Sequence, residues 1–156
     1  MKQKTLILGI GSPFADDQFG WFVADKLAEI VKEKNIQNVI VESADRPGLN
    51  LLTYLDNNYD KVILIDAVYA KVTPGTEFYF KAKDILSFGG FLSSHSVGVA
   101  PSLALADAIG MDISNVEFYG VEGQRIFEKD EILSDIVKDA IDTTIKKILN
   151  EIRISF

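Results

Sequence analysis

Three side chains in this sequence have types suited to holding a metal ion. Asp17 and Asp66 offer carboxylates, and His95 is the only histidine of the chain. Two oxygen ligands and one nitrogen ligand make a borderline-hard site with open positions, which suits nickel, zinc, iron or manganese. Because there is no cysteine, thiolate metal sites, disulfides and cysteine nucleophiles are excluded. Three such ligands bind modestly, so two interpretations stay open: a weakly held catalytic metal, or a metal brought by a partner.

The hydrophobic pattern predicts the elements that position these residues. Continuous apolar runs predict strands buried on both faces, and apolar residues at helical spacing predict amphipathic helices. Strands are expected at 5–10, 38–43, 61–66 and 115–121, with an edge strand at 76–81. Helices are expected after Asp17, at 49–55 and 99–109, and from about Asp130. Alternating strands and helices predict an α/β fold, a doubly wound and mostly parallel sheet with helices on both faces.

Size and charge limit the classes of protein. The chain has 156 residues, 47% of them hydrophobic and 25% charged, which predicts a single domain over 1–156 with one ordinary core. No long uncharged apolar stretch is present, and the first apolar run is too short for a secretory signal, so a cytoplasmic protein without a membrane partner is expected. The net charge of −7 argues against nucleic acid as a partner.

Acidic residues gather where ligands bind in such folds, at the carboxyl ends of the strands. Asp16 and Asp17 follow the first strand, and Asp66 ends the third. We expect one of the two adjacent aspartates to cap the following helix and the other to be functional. Further acids of the same edge are Asp45 after the second strand and Glu122 after the last.

The first loop begins Gly9-Ile10-Gly11, which invites comparison with a dinucleotide-binding loop. The third glycine of G-x-G-x-x-G is missing because Phe14 stands there. Two carboxylates would also lie at the helix N-terminus where a pyrophosphate must bind. The sequence therefore argues against nucleotide binding.

Gly9 to Gly20, GIGSPFADDQFG, resembles the motif G-x-G-N-x-L-x-x-D-[DE]-G-x-G of the hydrogenase maturation proteases. Similar segments follow in the family's order: PGLNLL at 47–52, VILIDA at 62–67, SHSVG at 94–98 and VEFYGVE at 116–122. The resemblance thus covers most of the chain. Three departures bear on loop geometry and substrate choice: Ser12 replaces the usual Asn, Gln18 replaces a frequent Gly, and the loop between Phe14 and Asp16 is shorter.

The resemblance implies an endopeptidase that removes the C-terminal extension of a nickel-iron hydrogenase large-subunit precursor after nickel insertion. The family's three metal-contacting positions fall on Asp17, Asp66 and His95, which are implied to recognise nickel in the substrate and to form the catalytic site. On this basis the nickel is supplied by the substrate protein, and no tightly bound cofactor of the enzyme is expected.

For the chemistry we expect an aspartic-type hydrolysis. The metal ion would polarise the peptide carbonyl while Asp17 or Asp66 activates water. A serine triad is disfavoured, because His95 would need both a nucleophile and an orienting acid. Four further acids keep no assigned role at this stage, although cationic residues of the substrate could bind them: Asp16, Glu42, Asp45 and Glu122.

Two alternatives from other classes fit parts of the pattern. A phosphoacceptor signalling module of the receiver type also has an acid pair after its first strand and an Asp ending its third. It needs a lysine at the end of the last strand, where this chain has Glu122, which would repel a phosphoryl group. The other alternative is a metallohydrolase that keeps its own zinc.

Overall fold

A computed structural model describes residues 3–45, 50–55, 58–87, 99–124 and 132–154. Its strands are β1 (Thr5–Gly11), β2 (Val39–Asp45), β3 (Lys61–Val68), β4 (Glu77–Lys81) and β5 (Val116–Glu122). They form one sheet in the order β2-β1-β3-β5-β4. The pairs β1–β2, β1–β3 and β3–β5 are parallel, whereas β4 pairs with β5 in the antiparallel direction at the edge.

The helices that connect the strands are mostly short. A 3₁₀ helix (Ala15–Gln18) leads into α1 (Phe19–Glu33), and the remaining helices are α2 (Leu51–Leu55), α3 (Ala82–Ser87), α4 (Val99–Ala108) and α5 (Asp135–Ile154). Within the described ranges no helix is both long and apolar enough to cross a bilayer.

Each face of the sheet packs against its own group of helices. One core joins α1 and α5 to side chains such as Ile7 and Ile63, and the other joins α2, α3 and α4 to side chains such as Leu8 and Leu64. Successive strand residues point to opposite faces, so a strand covered on both sides must be apolar throughout. All residues of β1 and β5 are buried, as this requires. The predicted doubly wound sheet with helices on both faces is confirmed.

Several boundaries differ from the predicted ones. The closing helix begins at Asp135, and Ile132 precedes it with 64% of its surface exposed. Ile136 and Phe22 are also exposed, so the predicted apolar stripes were too wide. Helix α3 was not predicted from the sequence, and β3 continues past Asp66 to Val68 because the core extends that far.

A second group of carboxyls lies between β5 and α5, beyond the acids singled out from the sequence. Glu117 and Glu151 share a hydrogen bond, and the hydroxyl of Tyr79 donates to Glu117 Oε1. Lys61 Nζ lies 3.2 Å from Glu117 Oε2 and 4.0 Å from Glu151 Oε2. One ammonium group therefore faces two carboxyls, and a proton shared by the carboxyls reduces their repulsion.

The two carboxyls of this pair titrate differently. Burial raises the pKa of Glu151 to about 7, and its hydrogen bond with Glu117 adds to the increase. Burial also acts to raise the pKa of Glu117, but hydrogen bonds with Glu151, Tyr79 and Lys61 outweigh it and lower the value. The folded protein therefore keeps a proton on Glu151 at a pH where the unfolded chain has lost it.

This arrangement predicts that the protein loses stability as the pH rises from 4.5 to about 7. Because the pKa of Glu151 is higher in the folded state than its ordinary value of 4.5, its stabilising contribution is lost as the pH rises through about 7. Glu151→Gln cannot ionise, so its free energy of unfolding relative to wild type should rise by about 1 kcal/mol between pH 5 and pH 8, after allowance for solvent screening. Urea unfolding at both pH values measures this difference.

Asp139→Asn is the matched control, because Asp139 lies exposed on the same helix. Its free energy of unfolding should follow that of wild type across the same pH range. An equal pH dependence in wild type and Glu151→Gln would contradict the assignment of the shared proton.

Candidate active site

The candidate site lies where the strand order reverses. The chain passes from β1 to β2 on one side and then crosses to β3 on the other side of β1. The carboxyl ends of β1 and β3 are therefore neighbours with diverging connections, and such switch points are where open α/β sheets bind ligands. Asp17 follows β1, and Asp66 lies near the end of β3.

Glycines set the position of the first helix against the sheet. A Cβ on Gly20 would lie 2.2 Å from the carbonyl oxygen of Ile10 and 2.5 Å from that of Ile65. A Cβ on Gly9 would lie 2.2 Å from the carbonyl oxygen of Gly20. Since real Cβ atoms cannot approach so closely, only glycine permits this contact. The start of α1 thus rests on the backbones of β1 and β3, and it brings the preceding residue Asp17 to the switch point.

The loop between β1 and α1 folds without a side-chain cap. Phe14 precedes the 3₁₀ helix, and its carbonyl oxygen accepts a hydrogen bond of 2.9 Å from the amide of Asp17. Ala15 takes a φ of 44°, a left-handed conformation that fits the tight turn. Neither Asp16 nor Asp17 makes a capping bond, so the prediction that one of them caps the helix was wrong. The 3₁₀ turn places both of them inside its own first turn.

Asp17 is held by the loop from which it projects. The hydroxyl of Ser12 donates to Asp17 Oδ2, and the amide of Ser12 donates to the Asp17 carbonyl at 3.2 Å. Ser12 is buried, so this hydroxyl is well placed to orient the carboxylate. The departure from the usual Asn therefore leaves a hydrogen-bond donor beside Asp17.

Asp66 is a partly buried carboxyl beside a like charge. Burial raises its pKa well above the ordinary value of 3.8, and the negative charge of Asp17 raises it further. The amide of Ala67 opposes both effects by donating to Asp66 Oδ1 at 2.8 Å. The effect of Asp17 on Asp66 shows that the structure brings these two carboxylates together. A cation between them would relieve their repulsion.

Asp16 differs from its neighbour Asp17 in that its contacts are structural. Its side chain is fully buried, and it accepts hydrogen bonds from the amide of Ser134 at 2.7 Å, the hydroxyl of Ser134 at 2.9 Å and the amide of Gln124 at 2.8 Å. One carboxylate thus ties the first loop to two chain positions beyond β5. The sequence offered only one signal of this, the presence of a second acid where a single functional one suffices.

The remaining acids of the edge divide into structural and exposed residues. Glu122 is buried, and its side chain accepts a hydrogen bond of 2.9 Å from the amide of Ala70 in the loop after β3. Glu42 and Asp45 lie on β2 with exposed side chains. Tyr69, which the sequence analysis missed, lies beside the two aspartates of the site and has no sequence pattern that marks it.

His95 lies outside the described residues, as do Ser94 and Ser96. Among the residues that are described, no three His, Asp or Glu side chains are grouped closely enough to hold a metal ion. Of the three expected ligands, the structure therefore brings two together, Asp17 and Asp66. Such a pair can bind a cation and accept a proton from water.

A family model described as hydrogenase maturation protease (HycI) matches residues 22–151. The matched range includes Asp66 and His95 and begins after Asp17. A Methanocaldococcus jannaschii protein named for the same family is 28% identical over 157 aligned residues, which cover 97% of this chain and 98% of that protein.

Solved structures share the fold over nearly the whole chain. The hydrogenase maturating endopeptidase HybD of E. coli superposes with a TM-score of 0.81 at 23% identity, covering 97% of this chain and 93% of the other. The hydrogenase maturation protease HycI of Thermococcus kodakarensis gives a TM-score of 0.71 at 21% identity, covering 97% and 94%. The β2-β1-β3-β5-β4 sheet described above is thus similar to the fold of these endopeptidases.

The hydrogen bonds of Asp16 predict a large effect on stability. Asp16→Ala leaves three donors without their acceptor, two of them in buried contacts, so the free energy of unfolding should fall by about 3 kcal/mol. Asp25→Ala, at an exposed position of α1, is the control and should change it by less than about 0.5 kcal/mol. Urea denaturation measures both values, and equal stability of the two variants would contradict the role of Asp16.

Proposed function

This chain belongs to the hydrogenase maturation protease family, and we propose that it removes the C-terminal extension of a nickel-iron hydrogenase large-subunit precursor after nickel insertion. As a member of this family, the protein is a peptidase that acts in hydrogenase maturation. The observation that carries the finer proposal is the pairing of Asp17 and Asp66 at the switch point of the sheet. These two carboxylates repel each other and would be stabilised by a cation presented from outside.

The source of that cation is the substrate. Hard and borderline ligands such as carboxylates hold a divalent ion less firmly than a set of thiolates does, and this chain has no cysteine. A nickel ion already bound to the precursor can still accept carboxylate ligands at open positions. In this way Asp17 and Asp66 would test whether the precursor carries its metal before the cut is made.

His95 is proposed as the third ligand. Among the described residues, the direction of α4 supports this proposal. The helix ends at Ala108, shortly before β5 begins at Val116. The C-terminal end of α4 thus lies at the amino edge of the sheet, and Val99 lies at the opposite end of the helix. Helices of parallel α/β units run back in this way, so their first residues lie toward the carboxyl edge, where Asp17 and Asp66 are found.

The proposed hydrolysis uses the carboxylates as proton acceptors. Nickel of the substrate would polarise the scissile carbonyl, and Asp17 or Asp66 would take a proton from the attacking water. The proton would then pass to the leaving amine, so that water adds across the peptide bond. The burial of Asp66 favours this role, because a carboxylate with a raised pKa is a stronger proton acceptor.

The fold weighs against the receiver alternative. Receiver-type modules have the strand order 2-1-3-4-5, whereas here β5 lies between β3 and an antiparallel β4. Glu122 is also buried and bound to the amide of Ala70, so an acid occupies the end of the last strand. Stable phosphorylation of Asp66 by acetyl phosphate would favour the receiver alternative.

Processing of a precursor tests the proposal directly. The protein is mixed with the large-subunit precursor of a nickel-iron hydrogenase from the same organism, either loaded with nickel or free of it. Mass spectrometry should detect release of the tail from the loaded form and none from the free form. Cleavage that does not depend on nickel, or no cleavage of either form, would contradict the proposal.

Variants of the three proposed residues extend this test. Asp17→Asn, Asp66→Asn and His95→Ala should each lower the rate of tail release by at least about 100-fold, because each removes a ligand or a base. Their melting temperatures should stay close to that of wild type. Asp25→Asn, which neutralises an exposed acid of α1, should process normally. Stoichiometric zinc in the purified protein would instead favour the metallohydrolase alternative.

A further inference from the structure

Tyr69 lies immediately after β3, which ends at Val68, and its ring fits against a glycine. A Cβ on Gly123 would lie 2.5 Å from Cε1 of Tyr69 and 3.1 Å from its Cζ. The ring also packs against the core beneath α1 and α5. Because Gly123 follows the end of β5, the ring is fixed between the ends of two adjacent strands.

The hydroxyl of Tyr69 is buried and lies within hydrogen-bonding reach of the Asp17 carboxylate. Burial raises the pKa of Tyr69, and the charges of Asp17, Asp66 and Asp16 raise it further. An ionised carboxylate can only accept hydrogen bonds, so the phenolic hydroxyl is the donor toward Asp17.

Two hydroxyls from different parts of the chain thus face Asp17. Ser12 donates from the end of β1, while Tyr69 approaches from the end of β3. Ser12 belongs to the same loop as Asp17 and orients the carboxylate from the β1 side. Tyr69 faces it from the other side, because its ring is packed where β3 and β5 end.

We propose that Tyr69 is a positioning residue of the protease, whose hydroxyl holds the Asp17 carboxylate beside Asp66 so that both can contact the metal ion of the substrate. This inference rests on the proposed function. Ligands displaced by even an ångström lose much of their effect on the reacting group. Tyr69→Phe keeps the ring against Gly123 and removes only the hydroxyl.

The test compares the affinities of the protein for the nickel-loaded and the nickel-free precursor, together with the rate of tail release. Tyr69→Phe should bind the loaded precursor about tenfold more weakly and cleave it about tenfold more slowly. Its affinity for the nickel-free precursor should stay at the wild-type value. A purely structural role would change both affinities together and lower the melting temperature.

The chain offers a matched control in Tyr79→Phe. The hydroxyl of Tyr79 also donates to a carboxylate, that of Glu117. This contact lies between β5 and α5, away from the candidate site. Its loss should leave both affinities and the rate unchanged. Gly123→Ala, whose Cβ would displace the Tyr69 ring, should reproduce or exceed the effect of Tyr69→Phe.

The outcomes separate this inference from the proposed function. If wild type binds and cleaves both precursor forms equally, the proposed function fails whatever the variants do. If wild type prefers the nickel-loaded form and Tyr69→Phe and Gly123→Ala show the same preference, the inference alone is overturned. A loss of that preference in both variants, with Tyr79→Phe unchanged, supports it.

Discussion

The backbone contact between α1 and the two central strands fixes the geometry of the carboxyl edge. At Gly20 there is no side chain, so the helix begins within van der Waals distance of the carbonyl groups of Ile10 and Ile65. No layer of side chains separates these elements, and none can repack to move them apart. Asp17, just before the helix, is therefore held near Asp66 on β3 by the backbone. This rigidity lets two like charges remain neighbours although native proteins in general are only marginally stable.

Three aspartates near the switch point have different properties because their partners differ. Asp16 is saturated by buried amide and hydroxyl donors, so its charge stabilises the fold. Asp17 accepts a hydrogen bond from the Ser12 hydroxyl, which orients it, while Asp66 accepts one from the amide of Ala67 and lies beside a like charge. Identical side chains thus provide a structural tie, an oriented carboxylate and a carboxyl with a raised pKa. The local environment of each, more than its chemical type, determines its role.

The two groups of carboxyls in the molecule resolve their repulsion in different ways. Between β5 and α5, Glu117 and Glu151 have Lys61, Tyr79 and a shared proton as internal partners. At the carboxyl edge, the influences on Asp66 from the described part of the chain are burial, the charge of Asp17 and the amide of Ala67. The first group is therefore complete within the chain, whereas the second would gain from an external cation. This contrast supports the carboxyl edge as the place where the protein meets its substrate.

Local patterns in the sequence predicted the five strands, the longer helices and the meeting of Asp17 and Asp66, because burial on both faces demands continuous apolar runs and parallel strands end at one edge. Local patterns did not reveal α3, the late start of α5 or the absence of a capping aspartate. Asp16 and Ser134 are 118 positions apart, and nothing near either residue in the sequence indicates the other. Tyr69 likewise meets Asp17 only across the switch point. The sequence by itself determined which residue types reach the carboxyl edge, whereas their partners were decided by the tertiary structure, since hydrogen bonds and charge effects depend on distances in space.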